Sequence, residues 1–180
     1  MPDTHLQILT VSGLPGSGTS TACGLLRERL GWNYVNAGQI FRDLAHRANA
    51  SLAEMGRRAE SDPQIDRDLD ARMVQVARSE PPIILEGRMT GWMALRAELS
   101  ALKVWLDAPA ALRAERVGVR DGDDQALQQM LDRQHSEAQR YRVHHGIDIG
   151  DCSIYDAVID TAVHDPEAVV AQVMCRLENR

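Results

Sequence analysis

The chain has 180 residues, 44% of them hydrophobic, and a formal net charge of −6. This length and apolar content suit one domain with a single core. The acidic balance argues against a general nucleic-acid or membrane-surface binder, so any anion-binding site must be local. The N-terminus is too short and polar for a signal peptide, and no apolar run reaches the roughly eighteen residues of a membrane span. We therefore expect a soluble, cytoplasmic protein.

The first predicted strand runs over residues 7–12, and a helical pattern begins at Thr19. Between them lies a loop with Gly13, Gly16 and Gly18. Glycines allow a tight turn whose N–H groups point inward, and the following helix adds the positive end of its dipole. The strand, loop and helix therefore predict a phosphate-binding loop.

One position departs from the phosphate-loop template G-x-x-x-x-G-K-[ST]. The template aligns Ser20 with the Mg²⁺-binding hydroxyl, but Thr19 stands where it has lysine. Lys103, the only lysine of the chain, lies in a later predicted strand. If a phosphoryl group is transferred here, its developing negative charge would then have to be neutralised by arginine, Mg²⁺ and backbone N–H groups. The missing lysine weakens the interpretation as an enzyme without removing it.

Four more strands are predicted along the chain, at residues 33–36, 83–85, 102–107 and 154–159. Helices are predicted after Gly38, at residues 55–60 behind the capping box of Ser51 and Glu54, from Pro63, at 90–99, after Pro109, from beyond Asp124 to near Tyr141, and at 166–177. Alternating strands and helices predict a parallel sheet covered on both faces, with ligands at the carboxyl ends of the strands.

Several motifs match one family: GLPGSGTST, YVNAGQIFR, DPQIDRDLD, ILEGRMTGWM, VWLDAPAALRAERV, the run from Arg133 to Tyr141, and GIDIGDCSIYDAVIDT. Over residues 7–173 the chain resembles the archaeal-type cytidylate kinases, which are nucleoside monophosphate kinases of the P-loop fold. The resemblance implies one α/β domain with a five-stranded parallel sheet and helices on both faces. It also implies a helical nucleoside-monophosphate-binding insert at residues 38–78 and a lid at about 113–142.

The activity that the resemblance implies is ATP- and Mg²⁺-dependent phosphorylation of CMP or dCMP, by a monomer with no nucleic-acid or membrane partner. The ATP phosphates would be held by Gly13, Leu14, Pro15, Gly16, Ser17, Gly18, Thr19, Ser20 and Thr21, with Ser20 on the Mg²⁺. Arg42 and Arg88 would hold the acceptor's phosphate, because a guanidinium pairs with two phosphate oxygens at once.

Further roles follow from the same resemblance. Asp66 and Arg67 are candidates for reading the base or ribose. The candidate charge-neutralising groups of the reaction are Arg88, Arg133 and Arg140, with Arg116 and Arg120 as further lid cations. Either Glu86 or Asp107, each at a predicted strand end, could orient Mg²⁺-bound water.

Two alternatives stay open. Contacts in the insert decide the acceptor, so the protein could be another small-molecule or nucleoside monophosphate kinase. Thr19 also leaves room for a nucleotide-binding module that does not catalyse. Other features receive plain interpretations: Trp92 is a core residue that could border the acceptor pocket, the acidic cluster at residues 121–124 is a solvated turn, and His135, His144 and His145 lack ligand-like partners.

Overall fold

The computed structural model describes residues 7–121 and 126–179. Its strands are β1 (Ile8–Gly13), β2 (Asn33–Asn36), β3 (Ile83–Glu86), β4 (Leu102–Asp107) and β5 (Ala157–Asp160). Its helices are α1 (Thr19–Leu30), α2 (Ala37–Arg47), α3 (Leu52–Ser61), α4 (Gln64–Ser79), α5 (Thr90–Arg96), α6 (Ala110–Asp121), α7 (Ala126–His145) and α8 (Pro166–Glu178). No helix within this part of the chain has the length and apolar character that crossing a bilayer requires.

The five strands form one parallel sheet in the order β2-β3-β1-β4-β5. The chain moves outward from β1 to β2, returns through β3 and then crosses to β4. The strand order therefore reverses at β1, and in such sheets the ligand crevice lies beyond the carboxyl ends of the strands at that point. The predicted fold class is confirmed.

Both faces of the sheet are covered because its strands carry apolar side chains on both sides. Helices α1 and α8 pack on one face, where Leu26 and Val170 join Ile84 and the apolar residues of β1 and β4. Helices α4 and α5 pack on the other, where Met73 and Met93 meet alternate residues of β3. Every residue of β3 is buried, as expected for an inner parallel strand.

Helices α2, α3 and α4 lie between β2 and β3 and have a small apolar cluster of their own, which includes Phe41, Met55 and Ala59. The predicted capping box is present: Ser51 Oγ accepts from the Glu54 N–H, and the Glu54 carboxylate accepts from the Ser51 N–H. Helix α3 also packs on α7. These three helices therefore form a wall that faces the carboxyl edge of the sheet.

Three of the predicted boundaries that were wrong have a clear local reason. Strand β5 begins at Ala157 rather than 154, because the Asp156 carboxylate accepts from the Lys103 N–H and a turn precedes it. Helix α7 continues to His145, where Gly146 takes a φ of 62° and donates to Arg142 O. Helix α5 ends at Arg96, shortly before Glu98 takes a φ of 53°, a conformation that stops a right-handed helix.

Candidate active site

The glycine-rich loop between β1 and α1 turns as its sequence predicts. Gly16 and Gly18 have φ values of 82° and 91°, which glycine adopts without strain. A Cβ on Gly16 would lie 2.3 Å from Arg113 O, and a Cβ on Gly13 would lie 2.3 Å from Ser17 Oγ. Gly13 and Gly16 are thus needed for space, whereas Gly16 and Gly18 are needed for their backbone conformation.

Helix α6 holds this loop from outside. The Arg113 Nη1 donates to Pro15 O at 3.1 Å, and the Arg116 Nη1 donates to Gly16 O at 3.2 Å. Arg116 also donates to Thr161, whose hydroxyl in turn donates to Ser17 O. Burial lowers the pKa of Arg113 from its ordinary value.

Two arginines of α6, Arg113 and Arg116, thus bind the loop, and of these Arg116 was predicted as a lid cation. Arg113 is buried, and its guanidinium also donates to Ala108 O. Arg116 lines the cavity described below, but its N–H groups are engaged by the loop and Thr161. The side chains of Arg120 and Asp121 and the rest of the acidic cluster, residues 122–124, lie outside the described part of the chain.

A single carboxylate links the loop to the strands beside it. Glu86, at the end of β3, is 5% exposed. Its Oε1 accepts from Thr19 Oγ1 at 2.8 Å and from Ser20 Oγ at 2.7 Å. Its Oε2 accepts from Asn36 Nδ2 at 2.7 Å and from the Tyr34 hydroxyl. Burial, and next the hydrogen bond to Glu86, raise the pKa of Tyr34, so this phenol remains a donor.

The structure distinguishes between Glu86 and Asp107, the two carboxylates that the sequence left as alternatives for orienting Mg²⁺-bound water. Glu86 binds the hydroxyl that the loop template assigns to Mg²⁺, whereas the Asp107 side chain is exposed. Tyr34 and Asn36, which hold Glu86, were missed from the sequence. Asn36 lies in the quoted YVNAGQIFR motif, so the motif contained the signal, but the contact joins β2 to β3 and spacing does not show it.

A cavity of about 600 Å³ opens in front of the loop. The resemblance gave six arginines and aspartates as substrate-binding or catalytic groups, and five of them lie on its wall: Arg42, Asp66, Arg88, Arg133 and Arg140. Arg67 is exposed, because it is the neighbour of Asp66 on α4 and points about 100° away around the helix. Trp92 is not among the described residues that line the cavity.

Arg88 and Arg133 converge on one carboxylate. The Arg88 Nε lies 2.7 Å from Glu137 Oε2, and the Arg133 Nε lies 3.0 Å from Glu137 Oε1. Glu137 is 6% exposed. Burial, and next the charge of Arg88, lower the pKa of Arg133. Two guanidiniums, one just beyond the end of β3 and one from α7, thus form an anion-binding place that an internal carboxylate fills.

A second charged group lies farther from the loop, between α4 and α7. The Arg140 Nε is 2.5 Å from Asp66 Oδ2, and its guanidinium carbon is 5.7 Å from the centre of the Phe41 ring. Asp70, one helical turn beyond Asp66, also lines the cavity. Burial, and next the charge of Asp66, raise the pKa of Asp70 to about 7. Leu69 and Met73 complete an apolar wall beside these carboxylates.

Arg42 approaches the cavity from α2. Its side chain is exposed and donates to Gln39 Oε1. The helix is oriented by Asn36, whose Oδ1 accepts from the Gln39 N–H at 2.9 Å. Asn36 therefore caps α2 with its carbonyl oxygen while its amide group holds Glu86.

Comparison with known proteins is consistent with this architecture. Residues 8–163 match the profile of the Cytidylate kinase-like family. The chain is 44% identical to the cytidylate kinase of Pyrococcus abyssi, covering 96% of this chain and 94% of that one. It is 46% identical to the cytidylate kinase of Methanococcoides burtonii, covering 88% of this chain and 89% of that one.

Solved structures share the fold at low sequence identity. Shikimate kinase from Acinetobacter baumannii, in complex with shikimate, superposes with a TM-score of 0.62 at 16% identity, covering 97% of this chain and 95% of that one. A gluconokinase from Sinorhizobium meliloti superposes with a TM-score of 0.59 at 16% identity, covering 96% of this chain and 91% of that one. The fold is thus that of the P-loop kinases, and the chain belongs to the cytidylate kinase-like family.

Proposed function

We propose that this protein transfers the γ-phosphoryl group of ATP to CMP or dCMP. One observation carries the proposal: a phosphate-binding loop and a pair of converging guanidiniums, Arg88 and Arg133, line the same cavity. The phosphate-binding loop suits a triphosphate, and the pair of guanidiniums suits a monophosphate. The curated relatives named above are cytidylate kinases, which supports this acceptor.

The residues beside the loop fit a Mg²⁺ ion. Mg²⁺ prefers oxygen ligands, is bound through few protein groups and keeps several waters. Ser20 Oγ and the Glu86 carboxylate are such oxygens, 2.7 Å apart at the start of α1. We propose that Ser20 binds the ion and that Glu86 orients its water. Bound there, the ion would neutralise charge on the β- and γ-phosphates.

The acceptor's phosphate would take the place of Glu137 between Arg88 and Arg133, with Arg42 approaching from α2. An oxygen of that phosphate attacks the γ-phosphorus of ATP, the bond to the β–γ bridging oxygen breaks, and ADP leaves with its electrons. A phosphate monoester has its second pKa near 6, so this nucleophile is already ionised at neutral pH. The protein mainly has to hold two phosphates in line and neutralise their charge.

The charged group between α4 and α7 suits a cytosine base. Cytosine presents an amino donor beside two acceptors, N3 and O2, whereas uracil presents an acceptor, a donor and an acceptor. A carboxylate beside a guanidinium complements the first pattern and opposes the second. We therefore assign base reading to Asp66, Arg140 and Asp70, with Asp70 in the role that the sequence offered to Arg67. Phe41 provides a flat apolar surface beside them.

The experiment that tests the proposal is a coupled assay for ADP release with ATP, Mg²⁺ and a panel of acceptors: CMP, dCMP, UMP, AMP, GMP and shikimate. We expect turnover with CMP and dCMP. Turnover with another acceptor alone would retain the kinase and reject cytidylate. Nucleotide binding without turnover on any acceptor would favour a non-catalytic module.

A further inference from the structure

Residue 19 is where the loop departs from the lysine of its template, and the structure shows what the threonine does instead. Its hydroxyl donates to Glu86 Oε1, the same oxygen that accepts from Ser20 Oγ. Its methyl Cγ2 lies 3.0 Å from the place where a Cβ on Gly13 would stand. A β-branched side chain has few χ1 choices, which limits how far this hydroxyl can turn away from Glu86.

Glu86 is fully satisfied by this arrangement. A carboxylate has about four lone-pair sites, and four donors reach this one: Thr19 and Ser20 on one oxygen, Tyr34 and Asn36 on the other. A buried carboxylate needs such partners to remain charged. The Thr19 hydroxyl therefore belongs to the shell that fixes Glu86.

The position of Glu86 in turn decides how Ser20 is oriented. The single hydroxyl proton of Ser20 points to Glu86 Oε1, which leaves the oxygen lone pairs free for a metal ion. If Glu86 turned away, that proton would be free to rotate toward the metal position. Groups that orient a metal ligand in this way commonly change metal affinity by about 10- to 100-fold when they are removed.

We propose that Thr19 is a positioning residue for Mg²⁺: it acts through Glu86 and Ser20 on the metal, rather than on the ATP phosphates as a lysine would. This inference rests on the proposed function, in that nucleotide with Mg²⁺ must bind the loop. Its chemistry also predicts that a lysine at this position does harm, because an ammonium beside Glu86 would pair with the carboxylate and draw it from Ser20.

The test measures binding rather than turnover. A non-hydrolysable ATP analogue is titrated into the full chain by calorimetry, first with EDTA and then over a range of Mg²⁺ concentrations. Thr19→Val keeps the side-chain shape but removes the donor. We expect it to leave the metal-free affinity unchanged and to raise the Mg²⁺ concentration for the half-maximal effect by about tenfold or more. Thr19→Ser, which retains the hydroxyl, should stay close to wild type.

Two further variants sharpen the test. Thr10→Val is the matched control, since it makes the same exchange at a buried position in β1 and should leave both quantities unchanged. Thr19→Lys should raise the Mg²⁺ requirement and should not increase turnover on CMP. Thermal unfolding of each variant shows whether it is folded.

The outcomes that overturn the inference are distinct from failure of the proposed function. Weaker metal-free binding of Thr19→Val with an unchanged Mg²⁺ requirement would make Thr19 a phosphate contact. Increased turnover of Thr19→Lys would equally contradict the inference. If the wild-type chain binds no nucleotide at all, the proposed function fails and this inference fails with it.

Discussion

The two ends of the cavity are built differently. At the loop, arginines of α6 bind backbone carbonyls and Gly13 and Gly16 leave no room for a side chain, so the proposed triphosphate site is held in shape by the protein itself. At the other end, the guanidiniums that suit a monophosphate and a base are paired with the protein's own carboxylates, Glu137 and Asp66. The first end is preformed, whereas the second must exchange internal partners for a ligand.

The largest expected effect tests the preformed end. Gly16→Ala would place a Cβ 2.3 Å from Arg113 O and force a residue with a side chain into a positive φ. We expect a loss of about 3 kcal/mol in the free energy of unfolding, together with weaker nucleotide binding. Urea unfolding measures the loss of stability, and calorimetry with ADP measures the weaker nucleotide binding.

Gly18→Ala is the matched variant, because Gly18 has a similar φ but nothing within 4 Å of an added Cβ. It should lose only about 1 kcal/mol. Equal losses in the two variants would show that the contact with α6 does not constrain the loop.

The next effect tests the end that exchanges partners. Glu137→Gln removes the charge that competes with a phosphate for Arg88 and Arg133. We expect the KM for CMP to fall by up to about tenfold, and the free protein to lose about 1–2 kcal/mol of stability, since two guanidiniums lose their counter-charge. Steady-state kinetics measure the KM for CMP, and urea unfolding measures the stability of the free protein. Inorganic phosphate should stabilise the variant more than it stabilises wild type.

Glu115→Gln is the control for this exchange, because Glu115 is an exposed residue of α6. An unchanged or higher KM in Glu137→Gln would mean that Glu137 does not occupy the place of the acceptor's phosphate.

The third effect concerns Asp70 and depends on pH. Its pKa is about 7 in the folded protein against an ordinary 3.8, so the folded state binds a proton more tightly than the unfolded state does. Stability is therefore fully retained below about pH 4 and is lost as the pH rises toward 7. Asp70→Asn removes this loss: we expect equal stability at pH 4 and a variant more stable by about 2 kcal/mol at pH 8.

Urea unfolding at pH 4, 6 and 8 measures this, with Asp68→Asn, an exposed neighbour on α4, as the control. A constant difference across these values would show that Asp70 ionises normally. The same variant should also lose preference for CMP over UMP in the acceptor assay, since an amide can donate to O4 of uracil.

The two ends also differ in how well the sequence predicts them. The strands, the loop and the capping box depend on local patterns, namely apolar runs, glycine spacing and Ser51 with Glu54, and these predictions are confirmed. The arginines that reach the cavity were predicted from motifs, but the pairing of three of them with carboxylates was not. Glu137 and Asp70 lie in quoted motifs at helical spacing from Arg133 and Asp66, yet only the packing of α7 on the rest of the cavity wall shows what they contact.

The structure differs from the predicted placement of site residues where neighbouring residues on a helix point in different directions. Arg67 follows Asp66 in the same motif but faces outward, and the arginines of α6 bind the loop although their positions suited a lid. A motif identifies which residues matter more reliably than which face each of them uses. Which face a residue uses depends on how its helix is placed against the neighbouring elements. That placement is set by contacts with residues far away in the chain.

Asn36 joins the two ends, since its amide group holds Glu86 and its carbonyl oxygen caps the helix that carries Arg42. If Mg²⁺ and nucleotide shift Glu86 when they bind as proposed, these two hydrogen bonds of Asn36 would carry the shift to the start of α2. Binding energies linked in this way are reciprocal: if the nucleotide changes the affinity for the acceptor by some factor, the acceptor changes the affinity for the nucleotide by the same factor. One amide side chain thus gives the two substrates a physical route to cooperativity.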